Sequence, residues 1–330
     1  MRLSIVIPTY KRPESLNRLL LSLVNQSFLP DEILVVSGDQ DSINESQIRD
    51  SVQNLSIEFY YTRPSVCVQR NKGIIQAKGD MIALFDDDIE PESNYLETLV
   101  GYLDHHPNSQ VACGLFLEKR NNKWTAEFPP QSVLSLLYKR IFHHAVWGSL
   151  NDIPNNLFNR GILHQLRKYY ADKGNGLTKA GWPLVTDLSE DVNACQIYSL
   201  GASIFRAESI KGHLFDEILE SSGIGDNYGV SLSLGEDKPI MVLKGTAVQH
   251  HKESKNRMLS TKSYVLRILA MDYFLKMNDR KTFYVHILLF WSLIGSLIAQ
   301  FLKLKLPMAL ASMKVFIILL LGINPYKQIK

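Results

Sequence analysis

Apolar and polar residues alternate along the first 120 positions in blocks that switch between a strand pattern and a helix pattern. Residues 3–7, LSIVI, are a continuous apolar run stopped by Pro8, which predicts a short buried strand. After Pro13, the residues Leu16, Leu19, Leu20, Leu23 and Val24 recur at i, i+3 and i+4, the spacing of one helix face. The alternation continues with strands over 33–36 and 57–61, a helix over 68–77 and a strand over 81–85. A helix carrying Leu96, Leu99, Val100 and Leu103 and a strand over 111–116 follow. Strands separated by helices in this way predict a parallel sheet covered on both faces. Ligands of such sheets sit beyond the carboxyl ends of the strands, so Thr9, Tyr10, residues 37–41 and Asp86 to Asp88 are expected on one rim.

Residues 119–195 are less regular, punctuated by prolines and rich in aromatics, and read as a second, acceptor-facing half. A strand over 199–206, a loop leading into a helix over 216–234, and a strand over 240–248 ending at His250 and His251 complete the body. The expected organisation is therefore a first half over 1–118, a second half over 119–251 and a C-terminal region over 252–330.

Charge sharpens the last of these. Residues 252–330 hold 13 Lys or Arg against three acids, a net of +10 in a chain whose formal total is only +3. An acidic body with a basic tail points to an anionic surface as the tail's partner. Residues 283–302 carry no formal charge and residues 306–323 carry only Lys314. The first stretch reaches the roughly 20 residues needed to span a bilayer core and the second is marginal, so spanning and lying in the interface both stay open on length. A hairpin would leave Lys303 and Lys305 on the far side, which favours an in-plane arrangement. No nucleic-acid-reading motif accompanies the basic residues. The three cysteines, Cys67, Cys113 and Cys195, are too sparse for a disulfide scaffold, and the run 3–7 is too short for a secretory leader. A body on the cytoplasmic side of a membrane is the expectation.

Asp86, Asp87 and Asp88 follow five apolar residues, which places three carboxylates at the end of a buried strand, where mutual repulsion favours a cation. Hard oxygen ligands suit Mg2+ or Mn2+, which take one or two protein carboxylates and complete their shell with water and substrate phosphates. A solvated acidic turn is the plain alternative.

The segments SIVIPTYKRPESLNRLLLSL at 4–23, QRNKGIIQAKGDMIALFDDDIEPESNYLETL at 69–99 and GASIFRAESIKGHLFDE at 201–217 together resemble glycosyltransferase family 2. The resemblance covers residues 3–250. It implies the GT-A fold, an α/β Rossmann-like mixed sheet flanked by helices, here followed by C-terminal membrane-associated helices, and an inverting transfer from a nucleotide-sugar donor. On it, Pro8, Thr9, Tyr10 and Arg12 match the nucleotide-contacting loop, and Arg70 the basic residue near the diphosphate. Asp86 matches the ribose contact, Asp87 supports it, Asp88 matches the metal ligand, and His250 is a second ligand candidate with His251 beside it.

Two positions depart from the family pattern. Where the family has one or two aspartates directly after the second strand, this chain has Ser37, Gly38 and Asp39, so Asp39 is the candidate base contact from a shifted position. Where the family has Gly-Glu-Asp before a helix, this chain has Gly225, Asp226 and Asn227. An amide cannot accept a proton as a carboxylate does, so Asp226 is the candidate catalytic base, with Glu236 or Asp237 next in line and a helix-capping role as the alternative. Trp124 and Trp182 are candidates for stacking on an acceptor sugar or for core packing. The expected activity is metal-dependent transfer to a hydroxyl of a lipid-linked or cell-envelope glycan acceptor. A nucleotide-sugar-binding protein without turnover and a polyprenyl-phosphate glycosyltransferase are the alternatives, while phosphoryl transfer fits poorly because Ile89 and Glu90 follow the aspartates.

Overall fold

The computed structural model describes all residues except 127–130, 152, 155, 157–159, 220–222, 253–257, 281 and 327–330. Its elements begin β1 (Leu3–Thr9), α1 (Pro13–Val24), β2 (Glu32–Ser37), α2 (Glu45–Ser51), β3 (Ile57–Tyr61), α3 (Val66–Gln76), β4 (Met81–Phe85), β5 (Ile89–Pro91), α4 (Tyr95–His105), β6 (Val111–Arg120) and β7 (Lys123–Thr125). They continue with α5 (Val133–Ile141), β8 (Val146–Trp147), α6 (Arg160–Ala171), β9 (Leu184–Val185), β10 (Val192–Cys195), β11 (Ala202–Arg206), α7 (Ala207–Gly212), α8 (Asp226–Leu234) and β12 (Ile240–His250). Three helices end the chain: α9 (Ser260–Met277), α10 (Phe283–Leu302) and α11 (Leu306–Leu320).

By compactness the chain divides into two units. One comprises Met1–Ala126, Ser189–Ala194 and Tyr198–Arg257; the other comprises Glu127–Leu188, Cys195–Ile197 and Met258–Lys330.

In the first unit the main sheet runs β10-β12-β6-β11-β4-β1-β2-β3, with β5 added to β12 and β7 to β6. Every position of β1, β2 and β4 is buried, which explains apolar runs such as 33–36 and 81–85: these strands are covered on both faces and have no solvent side on which to alternate. Leu16, Leu19, Leu20 and Leu23 of α1 pack fully buried into the same core. Strands β1, β2, β3 and β4 are parallel, as alternation with helices predicts. The sheet as a whole is mixed, because β11 lies antiparallel to both β4 and β6. The sequence predicts a strand over 199–206, of which 202–206 forms β11, but carries no information on its direction, and an antiparallel neighbour needs no helical crossover to betray it.

Pro8 does not stop β1. The strand continues through it to Thr9, with Pro8 paired against Val36. Pairing of β1 with β4 ends at Val6, so Pro8 falls where one side of the ladder is already open. This opening at the carboxyl ends of β1 and β4 is the crevice expected of an open α/β sheet.

In the second unit, α5 and α6 pack through Leu136, Leu163, Leu166 and Tyr170 against Val146 and Leu184 of the two-stranded β8-β9 sheet. Helix α10 packs on α11, and α11 on α9. Among the described residues α10 is the one helix long and apolar enough to cross a membrane, and α11 is an apolar helix of 15 residues.

Candidate active site

The three aspartates lie on the turn from β4 into β5, and strand register fixes their neighbours. Asp86 N–H donates to Gly201 O (2.8 Å), continuing the antiparallel β4-β11 ladder in which Phe85 faces Ala202. A Cβ on Gly201 would overlap the Asp86 carboxylate, so the absence of a side chain there makes the carboxylate's room. On the other side, β5 pairs antiparallel with β12 so that His250 faces Ile89, the residue after Asp88. That register brings His250 Nε2 to 3.5 Å from Asp88 Oδ2.

Arg70 stands at the centre. Its guanidinium donates to Asp86 and to Asp226, and with 4% of its side chain exposed it is almost wholly enclosed. Burial works against the Arg70 cation, but the two carboxylates hold its pKa above the usual value. Asp226 is the first residue of α8 and is reached through Gly223 (φ 61°) and Gly225 (φ 103°), a left-handed turn in which a Cβ is disfavoured. Burial raises the Asp226 pKa, Arg70 opposes the rise and Asp86 adds to it.

The helix α3 that carries Arg70 explains the rest of its Arg-Asn-x-Gly run. Asn71 holds the backbone of Phe215 through both ends of its amide (2.8 and 2.9 Å). Gly73 packs where a Cβ would meet Val6 of β1. One turn earlier, Gln69 donates to Thr9 O (2.6 Å) and Val36 O (2.7 Å), tying the ends of β1 and β2 below the rim.

Asp87 turns back toward β1. It accepts from Thr9 Oγ1 (2.7 Å) and from Arg12 Nη1 (3.1 Å), and burial pushes its pKa up to about 6 despite both partners. Asp88 shows the opposite balance: burial raises its pKa, but the bond and charge of His250 and the charge of Arg12 bring it below the usual carboxylate range. Beside them Lys11 adopts φ 55°, a left-handed conformation uncommon for a residue with a side chain, with its Nζ 5.4 Å from the Tyr10 ring centroid. Gly38 follows β2 so closely that a Cβ would press on Pro64 and Tyr10. Asp39 comes next, its backbone bracketed by Ser37 Oγ (3.1 and 2.7 Å). Pro8, Thr9, Tyr10 and Asp39 thus share the rim at the ends of β1 and β2. Glu236 and Asp237 lie in the exposed turn after α8.

Asp88 and His250 supply one carboxylate oxygen and one imidazole nitrogen facing each other. Among the described residues no group of three or more His, Cys, Asp or Glu is gathered at metal-binding spacing. A pair of this kind fits a divalent ion that draws the rest of its shell from phosphate and water. Next to it, Lys119, Trp124, Gln249, His250, His251 and Lys252 line a cavity of about 450 Å³. Trp124 is half-buried on this wall, its ring edge-on to His251 at 5.1 Å. In the other unit, Trp182 donates to Ser292 Oγ (3.0 Å).

Gln69, Asn71 and Gly201 lie inside the motif segments, yet their roles depend on what stands opposite them in space. Only the β4-β11 register reveals why position 201 has no side chain.

Residues 4–166 match the family model described as glycosyl transferase family 2. The GalNAc(5)-diNAcBac-PP-undecaprenol beta-1,3-glucosyltransferase of Campylobacter jejuni is 31% identical over 202 residues, covering 51% of this chain and 64% of that protein. The crystal structure of S. aureus TarS 1-349 in complex with UDP-GlcNAc superposes with a TM-score of 0.53 at 17% identity, over 96% of this chain and 81% of that one. GalNAc-T7 with UDP, GalNAc and Mn2+ gives a TM-score of 0.53 at 14% identity, over 86% and 52%. The chain spans 41% to 64% of the length of the first four curated relatives it matches. The mixed sheet is the GT-A fold, and through residues 4–166 this chain belongs to glycosyl transferase family 2.

Proposed function

We propose that the chain is a divalent-metal-dependent, inverting glycosyltransferase that moves a sugar from a nucleotide-diphosphate donor to a hydroxyl of a lipid-linked or cell-envelope glycan, at the cytoplasmic face of a membrane. The observation that carries this reading is the convergence of Arg70, Asp86 and Asp226 beside the Asp88–His250 pair at the β1/β4 crevice. The lipid-linked acceptor rests on the undecaprenol-linked substrate in the name of the C. jejuni relative, and the uridine nucleotide and metal on the ligands named with TarS and GalNAc-T7.

In this reading residues 1–118 form the donor half and 119–251 the acceptor half. Tyr10, Asp39 and the Thr9–Arg12 loop receive the nucleoside, and Asp86 its ribose. Asp88 and His250 would hold Mn2+ or Mg2+, and an ion bound there offsets charge on the departing diphosphate. Asp226 takes the proton of the acceptor hydroxyl as its oxygen bonds to the anomeric carbon and the bond to the diphosphate breaks. Burial suits Asp226 to this task by raising its proton affinity.

Asn227 favours the alternative of donor binding without turnover, since an amide stands where the family pattern has a carboxylate. The test is to incubate the purified chain with a panel of UDP-sugars, Mn2+ and undecaprenyl-diphosphate-linked glycans. Transfer that stops with EDTA is expected; donor binding with neither transfer nor hydrolysis would establish the alternative.

A further inference from the structure

One face of α10 is occupied by protein. Leu289, Ser292, Leu293, Gly295 and Ser296 are buried, and the C-terminal end of α5 meets this stretch. Trp291 Nε1 donates to Ile141 O (2.8 Å), Tyr138 Oη donates to Gly295 O, and the Phe142 ring stacks on Trp291 at 4.9 Å and fills the space a Cβ on Gly295 would need. The turn after α10 brings Lys303 near Lys139 of α5, and burial together with the Lys303 charge lowers the Lys139 pKa to about 8. Lys139 donates to Gln131 Oε1 (2.7 Å). Among the described residues no carboxylate pairs with Lys139, Lys303 or Lys305. The contacts from the end of α5 fall on Trp291 and Gly295, about 6 Å of the α10 axis at the usual rise.

The opposite face carries large apolar side chains in the open. Ile287, Ile294 and Ile298 on α10 and Leu310, Met313 and Ile317 on α11 are exposed at helical spacing. Two packed helices that both show such a stripe make a patch uncommon on a water-facing surface. Among the described residues Lys139, Lys303 and Lys305 have no acidic partner, and the tail's net charge of +10 complements an anionic surface.

We infer that α5, α10 and α11 form a face that lies in the plane of an anionic lipid surface, with the two apolar stripes in the acyl region and Lys139 and Lys303 on lipid phosphates, and that α10 does not cross the bilayer. A crossing α10 would draw α5, with Lys139 and Arg140, into hydrocarbon and carry Lys303 and Lys305 to the far side, both unfavourable. In the plane the same lysines reach the headgroups while the stripes stay buried. This deepens the membrane part of the functional reading and does not depend on its chemistry.

The full chain, without donor or acceptor, is sedimented with phosphatidylcholine vesicles and with equal mixtures of phosphatidylcholine and phosphatidylglycerol. Binding to the anionic vesicles is expected, weakened on the order of tenfold in Lys139→Gln/Lys303→Gln and abolished in Ile294→Asp/Ile298→Asp, with melting curves confirming that both variants fold. The native cysteines are buried, so Leu304→Cys and Ile162→Cys report the position of the α10–α11 turn against exposed α6. The same response of both to impermeant maleimide in intact cells is expected, and opposite responses would establish a crossing helix. Failure of the wild type to bind either vesicle would overturn the lipid assignment. A dimer dispersed by Ile294→Asp/Ile298→Asp with vesicle binding unchanged would make this face a contact between copies. Because no substrate is present, these outcomes are separable from failure of the transferase reading.

Discussion

Arg70 holds Asp226 across 156 residues of sequence and shares the same guanidinium with Asp86. A planar fork can serve two carboxylates at once, whereas an ammonium is a single point of charge. Arg70→Lys is therefore expected to fold and bind donor but lose most of kcat, because Asp226 is no longer held in place. Arg70→Met leaves Asp226 buried without its cation and should cost about 3 to 5 kcal/mol of stability. Urea unfolding of both variants beside steady-state kinetics checks this; equal stability of wild type and Arg70→Met would show that the pair contributes nothing to the fold.

Asp226→Asn should lower the transfer rate by about 10²-fold or more while leaving donor affinity nearly unchanged. The base works only when ionised, and burial raises its pKa. The wild-type rate should therefore fall as pH drops through a value above the ordinary aspartate range, and the variant should lose that acidic limb. Asn227→Asp should be tolerated. A limb that persists in Asp226→Asn would move the base elsewhere, with Glu236 and Asp237 the next to test.

Much of the first unit was legible in sequence because buried parallel strands write themselves as apolar runs. The predicted 57–61 and 81–85 coincide with β3 and β4. Helix α2 escaped because Ile48 is its one buried residue and so leaves no periodic trace, and β5 because three residues carry no period at all. At the site, the motifs single out the aspartates and Arg70, but not the ion pairs that Arg70 makes with Asp86 and Asp226. Spacing along the chain cannot show that Asp226 closes on it.

Gly201→Ala tests a contact invisible to sequence reasoning. The added methyl would fall on the Asp86 carboxylate, which must rotate away or push β11 aside. The expected result is a rise in donor KM of about tenfold, the scale of one displaced charge-assisted hydrogen bond, with a small loss of thermal stability. Unchanged donor KM would remove Asp86 from the donor site.

Asp88→Ala is expected to abolish transfer with the protein still folded, since it gives up the contacts to His250 and Arg12 but also relieves repulsion with Asp87. Excess EDTA should silence the wild type and added Mn2+ restore it. Full activity in EDTA would take the metal out of the reaction.

Trp124 is the candidate contact for the acceptor sugar. Its ring lines the cavity with Lys119, His250, His251 and Lys252, and His250 in turn faces Asp88. An aromatic ring with Lys119 Nζ 5.9 Å from its centroid suits a sugar ring that carries or neighbours a negative charge, such as the diphosphate of a lipid-linked glycan. Trp124→Ala should raise acceptor KM about tenfold, as expected for loss of one stacking contact, and leave donor KM alone, while Trp124→Phe keeps most of the affinity. The ring is half-buried rather than part of the core, so the melting temperature should move little. A large loss of stability without a change in acceptor KM would make Trp124 a packing residue and place the acceptor elsewhere on the rim.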